Sequence, residues 1–471
     1  MDLRPALNYD VVHLVMSLLS KREVISMMGT CKTLYREGPK FLLHEVTLKD
    51  EHDIRSFTQF MAADPYHRIR YLSIFTFRCG RLSVEAALLL RVFLQFSAPF
   101  LRLQQLRLLD PEVMLRCDLG LIQAFSRIAY IATLSIRKPD ALSFDLLSKM
   151  SGFVHTAILD CKYPAAAQLA DSNPILALRS LRNTLVDVVA YGFEANVTPG
   201  RCASIVFLHV RKLRLETFAP INSVEYARAF PNLASLHFSC RMSVMRIEER
   251  ERDELAVHRN RNRMSLRECG GWSTLEYLDG TPIDLWVLGL QGIVGRLRSF
   301  MGSMDEACQD IVAGAFEELM RDIRVKQVHL DIWTSRAVRD ALRTLSRTSR
   351  DLEHLGLNIV FDPKEPPADV KGMLDALVEY VARNSLRSLA VVFSCMDILS
   401  LMREDDAEMT SAPASADECK PLLHPESLAV RIQSVAPSLR DISLELWVDN
   451  KEIGTLRRGD EIPNPEHWAC N

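Results

Sequence analysis

The sequence predicts an α/β protein: a short all-helical N-terminal segment followed by a long array of strand–helix units. Three observations predict it. Residues 7–43 carry apolar side chains at helical spacing over a broad arc. From Ile69 to Leu439 the pattern apolar-x-x-apolar-x-apolar recurs thirteen times, its starts averaging about 31 residues apart. Between the copies lie stretches with apolar residues at i, i+3/i+4 and i+7, the spacing of an amphipathic helix.

Between Val11 and Leu19 only His13 and Ser17 are polar. At about 100° per residue the two sit together on the helical wheel, leaving an apolar arc of roughly 200°, about twice the stripe of a surface helix. Asp10 is the expected N-cap, its carboxylate accepting free N–H groups of the first turn. A second helical segment carries Val24, Met27, Met28, Cys31, Leu34 and Tyr35 at the same periodicity, with Cys31 expected as a small buried thiol. Fewer than forty residues cannot bury that much apolar surface among themselves. The excess must meet the rest of the chain or another protein.

The array begins at Ile69/Leu72/Ile74 and continues through Leu103/Leu106/Leu108, Ile131/Leu134/Ile136, Val210/Leu213/Leu215 and Leu233/Leu236/Phe238. Later copies are Val325/Val328/Leu330, Leu352/Leu355/Leu357, Leu386/Leu389/Val391 and Leu439/Ile442/Leu444, with weaker ones starting at Val154, Leu185, Leu275 and Leu297. Alternation over the last apolar positions means a short strand with one face buried. Helices are predicted at Ser83–Phe96, Asp305–Ile323, Ser335–Leu345, Ala368–Ala382 and Pro425–Val435. One strand and one helix per unit cannot bury the strand's inner face alone; stacking the units does.

Two family resemblances follow from these residues. Leu7, Asn8, Asp10, Val11, Val15, Leu18 and Leu19, then Val24, Thr30-Cys31-Lys32 and Leu42-Leu43, resemble the F-box motif, with Asn8 where the family has Pro and Leu34 where it has Trp. The array resembles the irregular leucine-rich repeats found behind an F-box, without the asparagine ladder of regular repeats. The resemblance implies an F-box-like helical domain over 1–48, a curved solenoid with a mostly parallel sheet and outer helices over 49–453, and a tail over 454–471. It also implies docking of the S-phase-kinase-associated adaptor of SCF ligases through Leu7, Asn8, Val11, Val15, Leu18, Leu19, Val24, Met28, Cys31 and Leu34.

Composition narrows the alternatives. At 471 residues the chain is long for one compact core, so two units or one elongated array are expected. A net charge of −3 gives no overall attraction to nucleic acid or membrane, and neither is expected as a partner. The 11 cysteines are odd in number and contain no C-x-x-C, which fits reduced thiols in the cytoplasm or nucleus rather than a disulfide framework or zinc site. No secretory signal and no uninterrupted apolar run of bilayer length is read at any point.

Two stretches interrupt the repeat. Residues 241–270 read as a charged insert: a helix at Arg246–Leu255, then HRNRNRMSLRECGGW, with Arg259, Arg261, Arg263 and Arg267 on a solvated loop paired to the preceding acids. Residues 403–421 (REDDAEMTSAPASADECKP) read as a mobile acidic loop. Beyond Gly454 structure signals are weak, and Trp468 is expected to pin the tail.

No catalytic pattern emerges. Neither G-x-G-x-x-G nor the P-loop is present, nor H-E-x-x-H or G-x-S-x-G. Gly289, Gly292 and Gly295 have the spacing of close packing or a turn. The twelve histidines lack metal spacing, and Cys31 and Cys308 have no sequence-adjacent His partner. No cofactor and no metal are expected, and the chain is not expected to be an enzyme.

Residues alternating with the apolar strand positions should face the open side of the sheet. They include Arg107, Arg137, Arg214, Glu216, His237 and Asn358. His329, Asp331, Trp333, Glu445 and Trp447 are the candidate substrate-binding set, because indoles combine large contact area with a hydrogen-bond donor. The expected function is a non-catalytic substrate-recognition subunit of an SCF-type (cullin–RING) ubiquitin ligase, holding a target protein on its repeats. The alternative is a repeat scaffold without a ubiquitin role, its N-terminal helices a mere cap.

Overall fold

The computed structural model describes residues 9–161, 173–193, 202, 204–240, 249–301, 306–361, 367–395, 424–448 and 451–458. Leu7, Asn8, the acidic loop 403–421 and Trp468 lie outside them. The chain divides into two compact units, Met1–Arg211 and Lys212–Asn471, a division within the stretch that the sequence reads as one array.

The first unit opens with three helices, α1 (Tyr9–Leu18), α2 (Lys21–Met28) and α3 (Lys32–Leu43). Strands β1 (Glu45–Leu48), β2 (Ile74–Phe77), β3 (Arg102–Leu109), β4 (Tyr130–Arg137), β5 (Phe153–Asp160) and β6 (Asp187–Phe193) follow. Between them run α4 (Glu51–Ala62), α5 (Pro65–Ile69), α6 (Val84–Ser97), α7 (Pro111–Cys117), α8 (Gly120–Ser126), α9 (Ala141–Lys149) and α10 (Pro174–Ala177). Each strand pairs in parallel with the next in sequence.

The second unit repeats the scheme with β7 (Lys212–Thr217), β8 (Ser235–Cys240), β9 (Thr274–Gly280), β10 (Gly292–Met301), β11 (Ile323–Ile332), β12 (His354–Phe361), β13 (Ser388–Cys395), β14 (Asp441–Val448) and β15 (Lys451–Arg458). Its helices are α11 (Ser223–Ala229), α12 (Glu249–Cys269), α13 (Pro282–Val287), α14 (Glu306–Asp322), α15 (Ser335–Thr348), α16 (Pro367–Arg383) and α17 (Pro425–Val435). Pairing is parallel from β7 to β14. Only β15 returns antiparallel, covering the backbone edge of β14, so the first residues of the expected tail form a strand.

The register explains the repeat. Leu355, Leu389 and Ile442 are neighbours across three strands, as are Leu357, Val391 and Leu444, and all are buried. Helices leave the strands through short caps: the Ser83, Thr281 and Thr334 hydroxyls accept from the N–H of Ala86, Asp284 and Ala337, satisfying donors of the first turn. The chain is thus an α/β protein with long, mostly parallel sheets and interleaved helices.

Three readings of the array need correction. The first copy is displaced by three residues: Phe75 and Phe77 pair with Leu106 and Leu108 and are buried, so the inward set is Leu72/Phe75/Phe77, not Ile69/Leu72/Ile74. The weak copy at Leu297 begins instead at Val294, which aligns with Val325 while Leu297 aligns with Val328. An earlier copy, Leu43/Val46/Leu48, forms β1.

The charged insert also changes character. Over the described residues it is a single helix, α12, occupying the place of an outer helix between β8 and β9 rather than a solvated loop. Asn262 is buried; it donates to the carbonyls of Ile221 and Val287 at 3.0 and 2.9 Å and accepts from the Ser223 N–H at 3.1 Å. Arg259, also buried, pairs with Glu318 and Asp322 of α14, and Arg263 with Asp322. Gly289 adopts φ 65°, and a Cβ there would lie 2.8 Å from the Arg263 backbone nitrogen, so that glycine serves both a turn and a close helix approach.

Candidate functional site

The three N-terminal helices share a small core with Phe60 of α4. Met16, Val24, Met28 and Leu42 are buried together, with Val12, Leu19, Met27, Leu34, Phe41 and Phe60 packed around them. Helix α2 starts at a cap in which the Glu23 carboxylate accepts from the Ser20 N–H at 2.8 Å and its hydroxyl at 2.6 Å. Its contact with α3 is close enough that a Cβ on Gly38 would fall 2.2 Å from the Met28 side chain. The set is tied to the first repeat by buried Arg68, whose guanidinium lies 3.9 Å from the Phe60 ring centre and donates to the Tyr35 hydroxyl at 3.0 Å.

This core uses one side of α1 and leaves the other bare. Val11, Leu14, Val15 and Leu18 fall at i, i+3, i+4 and i+7, and they are 49%, 61%, 41% and 79% exposed. Ile25 on α2 and Tyr35 on α3 are exposed as well. A broad arc cannot be covered from one flank, so the half not facing α2 and α3 meets solvent. Contiguous exposed apolar surface of this kind marks interaction sites.

The predicted adaptor-facing residues therefore separate into two sets. Val11, Val15 and Leu18 lie on the bare stripe. Val24 and Met28 are turned into the helical core, and Leu19 and Leu34 are half-buried against it; these hold the helices together. Cys31 is exposed at the N-cap of α3, not buried as expected, because the chain is extended there and its side chain leaves the helical face. Helix α1 begins at Tyr9, so Asp10 sits inside the first turn rather than capping it. Leu14 was missed as a site residue, although its spacing from Val11 and Leu18 carried the signal.

The second candidate surface is the polar face of the second unit's sheet. At its centre Asp331 accepts from Arg298 Nε at 3.0 Å and Asn358 Nδ2 at 3.0 Å, with His329 Nε2 3.5 Å away. Burial disfavours the Asp331 carboxylate, but His329, Arg298 and Asn358 outweigh it and hold its pKa down at about 2. His329 lies over Gly356, where a Cβ would meet Nδ1 at 2.5 Å. Trp333 follows β11, half-buried, its ring edge-on to Phe300 at 4.9 Å.

Glu445 and Trp447 form a separate cluster. Glu445 is buried and accepts from Arg457 Nη2 at 2.7 Å and Trp447 Nε1 at 3.3 Å. The register Asp331–Asn358–Val392–Glu445 places the clusters three strands apart, about 14 Å. The five predicted residues thus share a face without forming one pocket. His237 and Asp279, 2.8 Å apart, extend the same row of polar pairs.

Among the described residues no group of His, Cys, Asp and Glu is arranged to hold a metal ion. No helix among them is long and apolar enough to cross a membrane. No protein-family model matches the chain, and no curated protein is similar to it.

Proposed function

We propose that the chain is the non-catalytic substrate-recognition subunit of an SCF-type ubiquitin ligase: an F-box-like helical domain followed by an irregular leucine-rich-repeat solenoid. The observation that carries this reading is the exposed stripe Val11/Leu14/Val15/Leu18, on the side of α1 away from the core that the helices share with Phe60 of α4. A cap serving only the first repeat would turn that stripe inward.

The adaptor would cover the stripe, while the repeat surface holds a target protein. Binding both on one scaffold makes ubiquitin transfer effectively intramolecular, so the subunit needs no reacting group of its own. Full burial of one Leu or Val contributes roughly 1.5–3 kcal/mol, and these half-exposed side chains about half that each, before the cost of association.

Co-purification with the S-phase-kinase-associated adaptor tests the reading. The wild-type chain should capture it and Leu18→Asp should not; failure of the wild-type chain to do so removes the ligase assignment. The scaffold reading draws on a separate observation. On α6, Val84, Leu88, Val92 and Phe96 form an exposed stripe continued by Phe100 and Tyr66, so apolar docking surface is not confined to α1.

A further inference from the structure

Helices α15 and α16 flank a half-open groove of about 530 Å³, within the size range of small-molecule sites. Helix α15 turns Val338, Ala341, Leu342 and Leu345 inward. That leaves Arg339, Arg343 and Arg347, four residues apart, along the edge that faces α16. Arg383 joins them from the last turn of α16. Against these four guanidinium groups the lining sets one carboxylate, Glu379.

The existing partners leave much of this donor capacity unused. Arg383 pairs with Glu379 at 2.5 Å and Arg343 with Asp340 at 2.8 Å, while Arg339 reaches Asp369 only at 3.4 Å. Arg347 makes no ion pair among the described residues. Each guanidinium carries five N–H donors in a fixed fork, which one carboxylate cannot saturate.

The floor of the groove is apolar. Tyr380 lines it and is 2% exposed, its hydroxyl buried away from the open space.

We propose that the groove between α15 and α16 binds a small organic molecule carrying two or more phosphate groups. Arg339, Arg343 and Arg347 would hold the phosphates in bidentate pairs. Leu342, Ala376 and the Tyr380 ring supply an apolar floor for the organic part. The proposal does not depend on the ligase reading.

The test is titration calorimetry on the full chain at about 0.15 M salt, with inorganic triphosphate, ATP, sulfate and a single-stranded oligonucleotide as probes. Triphosphate and ATP should bind saturably at one site with Kd on the order of 10 μM, ATP the tighter because of the apolar floor. Arg347→Gln and Arg343→Gln should each weaken both by about tenfold. Absence of saturable binding by both phosphates overturns the proposal, as does binding that Arg347→Gln leaves unchanged. Tighter binding of the oligonucleotide through the same arginines also overturns it, in favour of a nucleic-acid surface.

Discussion

Arg259 of α12 places its Nη2 2.5 Å from Asp322 Oδ2 at the end of α14, with both side chains almost fully buried. Glu318 and the Trp286 ring complete the enclosure of the guanidinium, and Arg263 holds the second Asp322 oxygen at 3.1 Å. Removing one partner of a buried pair strands the other charge. Arg259→Met should therefore destabilise the chain by about 3 kcal/mol, read from urea unfolding. Adding Asp322→Asn should recover part of the loss. Equal stability of wild type and Arg259→Met would show that the pair is solvated.

The N-terminal helices separate surface from core. Val15→Asp and Leu18→Asp change exposed positions and should shift stability by no more than about 0.5 kcal/mol while abolishing adaptor capture. Val24→Ala and Met28→Ala should each destabilise by about 2–4 kcal/mol through the cavity they leave. Reversal of these stability effects would mean that the stripe and the core have been interchanged.

Trp333→Ala combined with Trp447→Ala tests the sheet face. Both indoles are half-buried, so the fold should persist as judged by circular dichroism. Target proteins captured by the wild-type chain should be lost from the double variant. Because the clusters lie about 14 Å apart, each single variant should weaken capture less than the pair. Unchanged capture would place the target surface elsewhere.

Asp331 gives a pH signature. Its folded pKa of about 2 lies below the unfolded value, so its contribution is full above pH ~4 and is lost as pH falls through 2. The wild-type chain should lose about 2 kcal/mol over that window relative to Asp331→Asn. Parallel acid-unfolding profiles for the two proteins would contradict the Arg298–Asp331–Asn358 arrangement.

The alternation of strand residues with apolar helical stripes was legible in the sequence, because both periods are set by backbone geometry and need no partner to show themselves. That is why Pro425–Val435 emerges with its bounds unchanged, and why Leu103, Leu106 and Leu108 appear as an inward set from their spacing alone. Periodicity failed where the buried positions are not apolar. On α12 the inward face carries Arg259, Asn262 and Arg263, so the hydrophobic pattern vanishes, and only contact with Ile221, Val287 and Asp322 reveals those residues as interior.

The register at Phe75 was likewise a tertiary decision: Ile74 and Phe75 are both apolar, and pairing with β3 selects which one points inward. Similarly, sequence alone determined that α1 is too apolar for one neighbour. Which half remains bare depended on the positions of α2 and α3, since helical spacing defines an arc but not its partner.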